Sequence, residues 1–169
     1  MPVGGGGYVT KLDPDGGLQW IRLLEVPRDS PHGECFPQNV VADESDNVTV
    51  SGAYSGTIDF DPSDAVDLHE NSKQGSGFLG DFHGAGFVCR LSREGAFHWA
   101  DSFGDNLECY DSTCSALVVD KSGNVYAAGV FTDYNYPGTD FHPGPLTEYR
   151  LNSVDGDQYL MMFPPDGNW

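Results

Sequence analysis

Gly86-Phe87-Val88-Cys89-Arg90-Leu91, then Ser92-Arg93-Glu94-Gly95 and Trp99, decides the fold, because the chain writes this passage repeatedly. An earlier copy reads Gly7-Tyr8-Val9-Thr10-Lys11-Leu12, with the turn Asp13-Pro14-Asp15-Gly16 and Trp20 behind it. A looser third copy reads Gln158-Tyr159-Leu160-Met161-Met162-Phe163, followed by Pro165-Asp166-Gly167 and Trp169. Tyr8 and Phe87 are 79 positions apart, and Phe87 and Tyr159 are 72 apart. Between the copies, Val40-Val41-Ala42-Asp43 and Asn47 to Gly52 return as Val118-Val119-Asp120 and Gly123 to Gly129. Gly56-Thr57-Ile58-Asp59-Phe60-Asp61-Pro62 returns as Gly138-Thr139-Asp140-Phe141-His142-Pro143. A period this long, made of strands and turns, marks a repeat architecture whose units cover one another.

Alternation and β-branched or aromatic residues give four strands per unit. In the first unit they are Tyr8–Leu12, Leu18–Leu24, Asn39–Asp43 and Val48–Tyr54. In the second they are Phe87–Leu91, Ala96–Phe103, Ala116–Asp120 and Val125–Phe131. A short hairpin follows the fourth strand each time, from Thr57 back to Val66–His69 and from Thr139 back to Tyr149–Leu151. The turns carry Asp, Asn and Gly, which bond their own backbone or accept positive φ. No segment reads as a helix. The reading is all-β: β-propeller-like antiparallel blades in two repeat units and part of a third. A glycine-rich segment (1–6) precedes unit one (7–85), unit two (86–157) and the start of the third (158–169).

Composition agrees. Only 38% of the residues are hydrophobic, while 22 glycines and 11 prolines punctuate the chain, as many short strands require. Aromatic residues make up 12%, too many for a disordered chain. With 8 Lys and Arg against 26 Asp and Glu, the formal charge is −18, which speaks against phosphate-backbone partners. It also disfavours an anionic membrane surface, and no apolar run is long enough for a membrane span. Residues 1–7 carry neither a basic nor an apolar leader pattern, so no signal peptide is read there.

The order of these motifs resembles the bacterial repeats called SBBP, or seven-bladed β-propeller repeats. The residues that carry the likeness are Val118-Val119-Asp120, Ser122-Gly123-Asn124-Val125-Tyr126-Ala127-Ala128-Gly129, Asp59-Phe60-Asp61-Pro62 and Gly86-Phe87-Val88-Cys89-Arg90-Leu91. The Asp-Phe-Asp-Pro variant is similar to secreted repeat proteins of planctomycete-like bacteria. The resemblance spans about residues 7 to 169 and implies four-stranded blades, an extracellular or cell-surface setting and no catalytic residues. The second unit departs from the first with His142 in place of Asp61 and with Tyr134-Asn135-Tyr136-Pro137 inserted. Two units cannot close a ring, since each blade face needs the next. The missing cover comes either from more repeats of the same chain or from other copies of it, in a ring or a filament.

Asp59 and Asp61 lie two apart on one side of a strand, and Asp140 and Asp157 are their counterpart and neighbour. Together these four are the candidate Ca²⁺ ligands, since hard cations collect several oxygens; the competing reading is a solvated hairpin. The aspartates at 43, 46 and 120 are read as turn residues, and Trp20 and Trp99 as packing between blades. Among the four cysteines, Glu34-Cys35-Phe36 echoes Glu108-Cys109-Tyr110, which assigns both to the same inter-strand loop. Cys109 and Cys114 are close enough to form a small-loop disulfide, and Cys89 shares the buried parity of Phe87 and Leu91. No His-x-x-x-His pair, nucleophile elbow or phosphate loop occurs. The expected role is therefore a non-catalytic, secreted structural protein that associates head-to-tail through its blade edges into a ring or filament, with Ca²⁺ as stabiliser. The alternative is part of a larger propeller that binds a glycan or a protein, and a glycosidase comes last.

Overall fold

Each apolar alternation in the sequence becomes a strand, and each Asp- or Ser-headed turn reverses the chain. The computed structural model describes residues 5–28, 33–71, 84–104, 111–133, 138–142 and 149–168, among which there is no helix. The first half gives β1 (Gly7–Leu12), β2 (Leu18–Leu24), β3 (Glu34–Ala42), β4 (Val48–Asp59) and β5 (Leu68–Asn71). Then come β6 (Ala85–Leu91), β7 (Phe97–Phe103), β8 (Asp111–Val119) and β9 (Val125–Asp133). Last are the two-residue strands β10 (Thr139–Asp140) and β11 (Arg150–Leu151), and β12 (Ser153–Phe163).

All the pairings between these strands are antiparallel. β1 pairs with β2; the central sheet runs β3-β4-β6-β7, with β5 on the far end of β4; the last large sheet runs β12-β9-β8. The third strand of each unit is longer than its sequence signal. Pro37 has no N–H to give to a ladder and reads as a break, but a register shift between Pro37 and Asn39 absorbs it and β3 continues back to Glu34. The same irregularity recurs in β8 between Cys114 and Ala116.

One turn design recurs. Asp43 Oδ1 accepts the amides of Ser45 at 2.8 Å and Asn47 at 2.9 Å. Asp120 does the same with Ser122 and Asn124, and Asp13 with Asp15 and Gly17. Ser92 substitutes its hydroxyl, accepting from the amides of Glu94 and Ala96 at 3.1 Å each. These Asp residues are turn staples, as their sequence positions suggested.

The inner strands of the central sheet, β4 and β6, are buried on both faces. Phe87, Cys89 and Leu91 pack with Val9, Trp20 and Leu24 of the first sheet in one cluster. Val88, Trp99 and Phe103 point the other way, into a second cluster with Val125, Phe131 and Phe163. Tryptophan joins successive sheets: Trp20 Nε1 donates to the Arg93 carbonyl at 2.9 Å, and Trp99 Nε1 to the Pro165 carbonyl at 3.0 Å. Arg93 and Pro165 sit in equivalent turns, 72 positions apart. Each indole also lies on the glycine of the turn it bonds. A Cβ on Gly95 would meet Trp20 Cδ2 at 3.0 Å, and one on Gly167 would meet Trp99 Cγ at 2.7 Å. Both glycines have positive φ, 79° and 71°.

Candidate functional site

Three features could carry function: the Asp-Phe-x-Pro hairpins, a polar chain around His69, and the two outward faces of the stack. The hairpins come first, because Asp59, Asp61, Asp140 and Asp157 are the candidate metal ligands. Asp59 ends β4 and folds over its own turn, with Oδ1 accepting the amides of Asp61 at 3.1 Å and Asp67 at 2.9 Å. Asp140 repeats the pattern, accepting from His142 at 3.0 Å and Tyr149 at 2.9 Å. Asp61 Oδ1 accepts the Ser63 amide at 2.9 Å. The aromatic residue between them anchors the hairpin: Phe60 and Phe141 are buried, and Phe60 meets Phe87 with ring centroids 4.8 Å apart. Asp59 and Asp61 do share one side, lining a shallow cleft with Glu25, Asp64 and Arg22. Among the described residues, however, no three His, Cys, Asp or Glu side chains gather as a cation would require. Asp157 stands exposed in β12 opposite Phe131 rather than in a loop.

The cysteines are placed differently from their sequence assignment. Cys35 and Cys114 lie in β3 and β8 and are buried, because both strands extend well beyond their apolar cores. Cys109 lies outside the described residues, so the Cys109–Cys114 pairing stays an expectation. Burial pushes the Cys35 thiol up to about 12, against the opposing effect of a backbone hydrogen bond from Gly7. Burial likewise raises Cys89, whose side chain packs in the first cluster as its parity foretold.

Sequence reasoning missed a polar chain in the central sheet. His69 Nδ1 lies 2.8 Å from Ser102 Oγ, and its Nε2 lies 3.2 Å from Asp67 Oδ2. The His69 ring stands edge-on to Phe60 at 5.1 Å. The arrangement ties the β4–β5 hairpin to the outermost strand, β7. No spacing announces it, since Ser102 and His69 are 33 positions apart on strands that do not pair.

A second polar tie runs between turns. Arg90 Nη2 meets Asp43 Oδ2 at 2.5 Å, and Arg90 Nη1 donates to the Gly123 carbonyl at 3.0 Å. Partial burial opposes charge on Asp43. Hydrogen bonds from the Asn47 side chain and the Asn47 and Ser45 amides, with the Arg90 charge, nevertheless hold its carboxyl below the ordinary range. In the next unit Met162 occupies the Arg90 position. There the Asn124 side chain leads in keeping Asp120 below the ordinary carboxylate range.

The end faces differ from the interior in a systematic way. Leu160 is 74% exposed and Met162 47%, while their equivalents Val88 and Arg90 are 0% and 4% exposed. Val118 and Val130 are exposed on the same outer face. On the opposite end, Tyr8 and Leu12 are exposed although Phe87 and Leu91 are fully buried, and Leu18, Ile21 and Leu23 stand beside them. Val40 is 67% exposed, whereas its equivalent Leu117 packs against the second cluster. The first turn is bare too: nothing lies within 4 Å of a Cβ on Gly16, while Trp20 and Trp99 cover Gly95 and Gly167.

No protein-family model matches the chain, and no curated protein matches it either.

Proposed function

We propose that this protein is a secreted, non-catalytic β-propeller-type building block whose stacked repeats associate head-to-tail with further copies of the chain. The observation that carries the reading is the contrast between the central sheet and the ends. Phe87, Leu91 and Val88 are buried inside, whereas Tyr8 and Leu12, the equivalents of Phe87 and Leu91 at one end, and Leu160, the equivalent of Val88 at the other, are large and apolar yet lie in solvent. Fully burying one such side chain contributes about 1.5–3 kcal/mol. Several of them together rival a domain's whole stability of about 5–15 kcal/mol. An exposed apolar patch of this extent is a contact surface, and the repeat supplies its natural cover: another unit with the same spacing.

The contact differs in one respect from simple completion of a blade. The edge of β9 is already occupied by β12 of the same chain, so the faces stack rather than a copy's β1 pairing with β9. Ca²⁺ belongs to this proposal as a stabiliser that lowers the mutual repulsion of a chain with formal charge −18, with Asp59, Asp61, Asp140 and Asp157 as its proposed carboxylates.

Sedimentation of the full chain across micromolar concentrations, with electron micrographs of the largest species, tests the reading. Rings or fibres are expected. Leu160→Asp or Ile21→Asp, each at an exposed position, should return a smaller species with little change in melting. A compact, well-folded monomer at all concentrations would defeat self-association.

A further inference from the structure

Two buried oxygens stand opposite one another on β3 and β4. Glu34 opens β3 and is the ladder partner of Ser55 on β4. The next pair in that ladder, Cys35 and Tyr54, packs in the first cluster. Alternation therefore turns Glu34 and Ser55 the other way. That is the face where Asn39 Nδ2 reaches across to β8, donating to the Cys114 carbonyl at 2.8 Å. Ser55 is fully buried and Glu34 half-buried. Among the described residues, neither Ser55 Oγ nor the buried Glu34 oxygen, Oε2, meets a hydrogen-bond partner.

Other acids of this fold are held by their own turns. Asp43, Asp59, Asp120 and Asp140 each accept two backbone amides. A buried oxygen without a donor is costly, and a carboxylate oxygen most of all. Directly opposed strand residues have Cβ atoms about 4.5–5.5 Å apart, so a carboxylate and a hydroxyl on one face can converge on a single atom between them. The placement recurs in the next unit. Glu34 lies eight positions before Ala42 at the end of β3, and Asp111 lies eight before Val119 at the end of β8. Ser55 lies seven after Val48, Thr132 seven after Val125, and Asp111 is the ladder partner of Thr132. An acid opposite a hydroxyl residue thus occupies the same rung of both units.

We propose that Glu34 and Ser55 form a Ca²⁺ site, with the carboxylate and the hydroxyl as protein ligands and water completing the shell. Oxygen ligands alone select a hard cation. The site needs no gathering of three acids, because Ca²⁺ also takes uncharged oxygens, at the cost of affinity. One carboxylate implies a dissociation constant of about 10⁻⁴–10⁻³ M, the range of extracellular modules. The bound ion ties the start of β3 to β4 on the face that meets β8. It is separate from the hairpin carboxylates and stands whether or not those bind.

The test is calorimetric titration of Ca²⁺ into the full chain, paired with melting in chelator and in about 10 mM Ca²⁺. Glu34→Gln should weaken binding by about tenfold or more, and Ser55→Ala by about threefold or more. Glu44→Gln makes the same charge change at an exposed turn residue and should leave binding unchanged. In chelator Ser55→Ala should melt no lower than the unsubstituted chain, since it removes a buried oxygen that had no partner. In Ca²⁺ the order should reverse. A Ca²⁺ response that is the same in the unsubstituted chain, Glu34→Gln and Ser55→Ala would overturn the site, whichever other carboxylates carried that response. So would a Ser55→Ala chain that melts higher in both media, the result expected of water between the two residues.

Discussion

Replacing Asp59 by alanine and by asparagine separates a turn staple from a cation ligand. In the structure one oxygen, Oδ1, receives two backbone amides, from Asp61 and Asp67. A hydrogen bond to a charged group contributes about 1.5–3 kcal/mol net, and the partial exposure of Asp59 argues for the low end. Two such bonds put Asp59→Ala at about 2–4 kcal/mol less stable. Asparagine keeps a carbonyl oxygen in the same place and loses only the charge, so Asp59→Asn should cost about 1 kcal/mol. Urea unfolding at one fixed protein concentration measures both, with an unchanged m-value as the check that only stability moved. The titrations are then repeated in chelator and in Ca²⁺. A staple predicts that alanine is far worse than asparagine in either medium. If Ca²⁺ binding by the carboxylate also operates, both variants lose the Ca²⁺-dependent shift alike. An alanine cost below about 0.5 kcal/mol would refute the staple, because it would mean that water satisfies the two amides equally well.

Arg90→Met copies the residue of the next unit and strands the Asp43 carboxylate, which should cost about 3 kcal/mol; adding Asp43→Asn should recover part of it in thermal or urea unfolding. Asp43, with its depressed folded-state value, contributes fully above the unfolded carboxylate pKa of about 3.9 and less as pH falls through the folded value. Stability should therefore drop below about pH 4, and Asp43→Asn should flatten that limb of the acid-unfolding profile. Gly95→Ala should destabilise more than Gly16→Ala, since both need positive φ but only the first drives a methyl against an indole. Cys35 and Cys89 should resist alkylation at pH 8 until the chain unfolds, their thiols being raised by burial. Non-reducing mass spectrometry of the same samples decides the Cys109–Cys114 disulfide.

Much of the strand pattern was legible because β1, β3, β6 and β8 each end on an Asp- or Ser-headed turn that announces the next strand. The starts of β3 and β8 were not. Pro37 and the polar run Ser112-Thr113 argue locally for loop, and only the neighbouring strand, by offering a ladder and a bulge, makes strand the better answer. That is why Cys35 and Cys114 were assigned to loops and are found in strands. The parity of Cys89 was readable, because it depends on one uninterrupted strand. The paired carboxylates of Asp59 and Asp61 were also visible, but not what holds them, since hydrogen bonds to the residues' own turn follow from backbone path rather than spacing. The His69–Ser102 contact needs the hairpin and β7 to meet in space, which no linear pattern encodes.

The tryptophan contacts give the molecule a direction. Trp20 and Trp99 each reach forward, to turns 73 and 66 positions later in the chain. During synthesis the indole therefore exists before the turn it will clamp, and each new turn emerges beside a surface already waiting for it. Removing a later unit merely leaves an indole idle, while removing an earlier one strips the glycine turn of its cover. Damage to one unit should consequently spread toward the C-terminus, since each later turn leans on an indole made before it. Such a chain unravels in the order in which it was made.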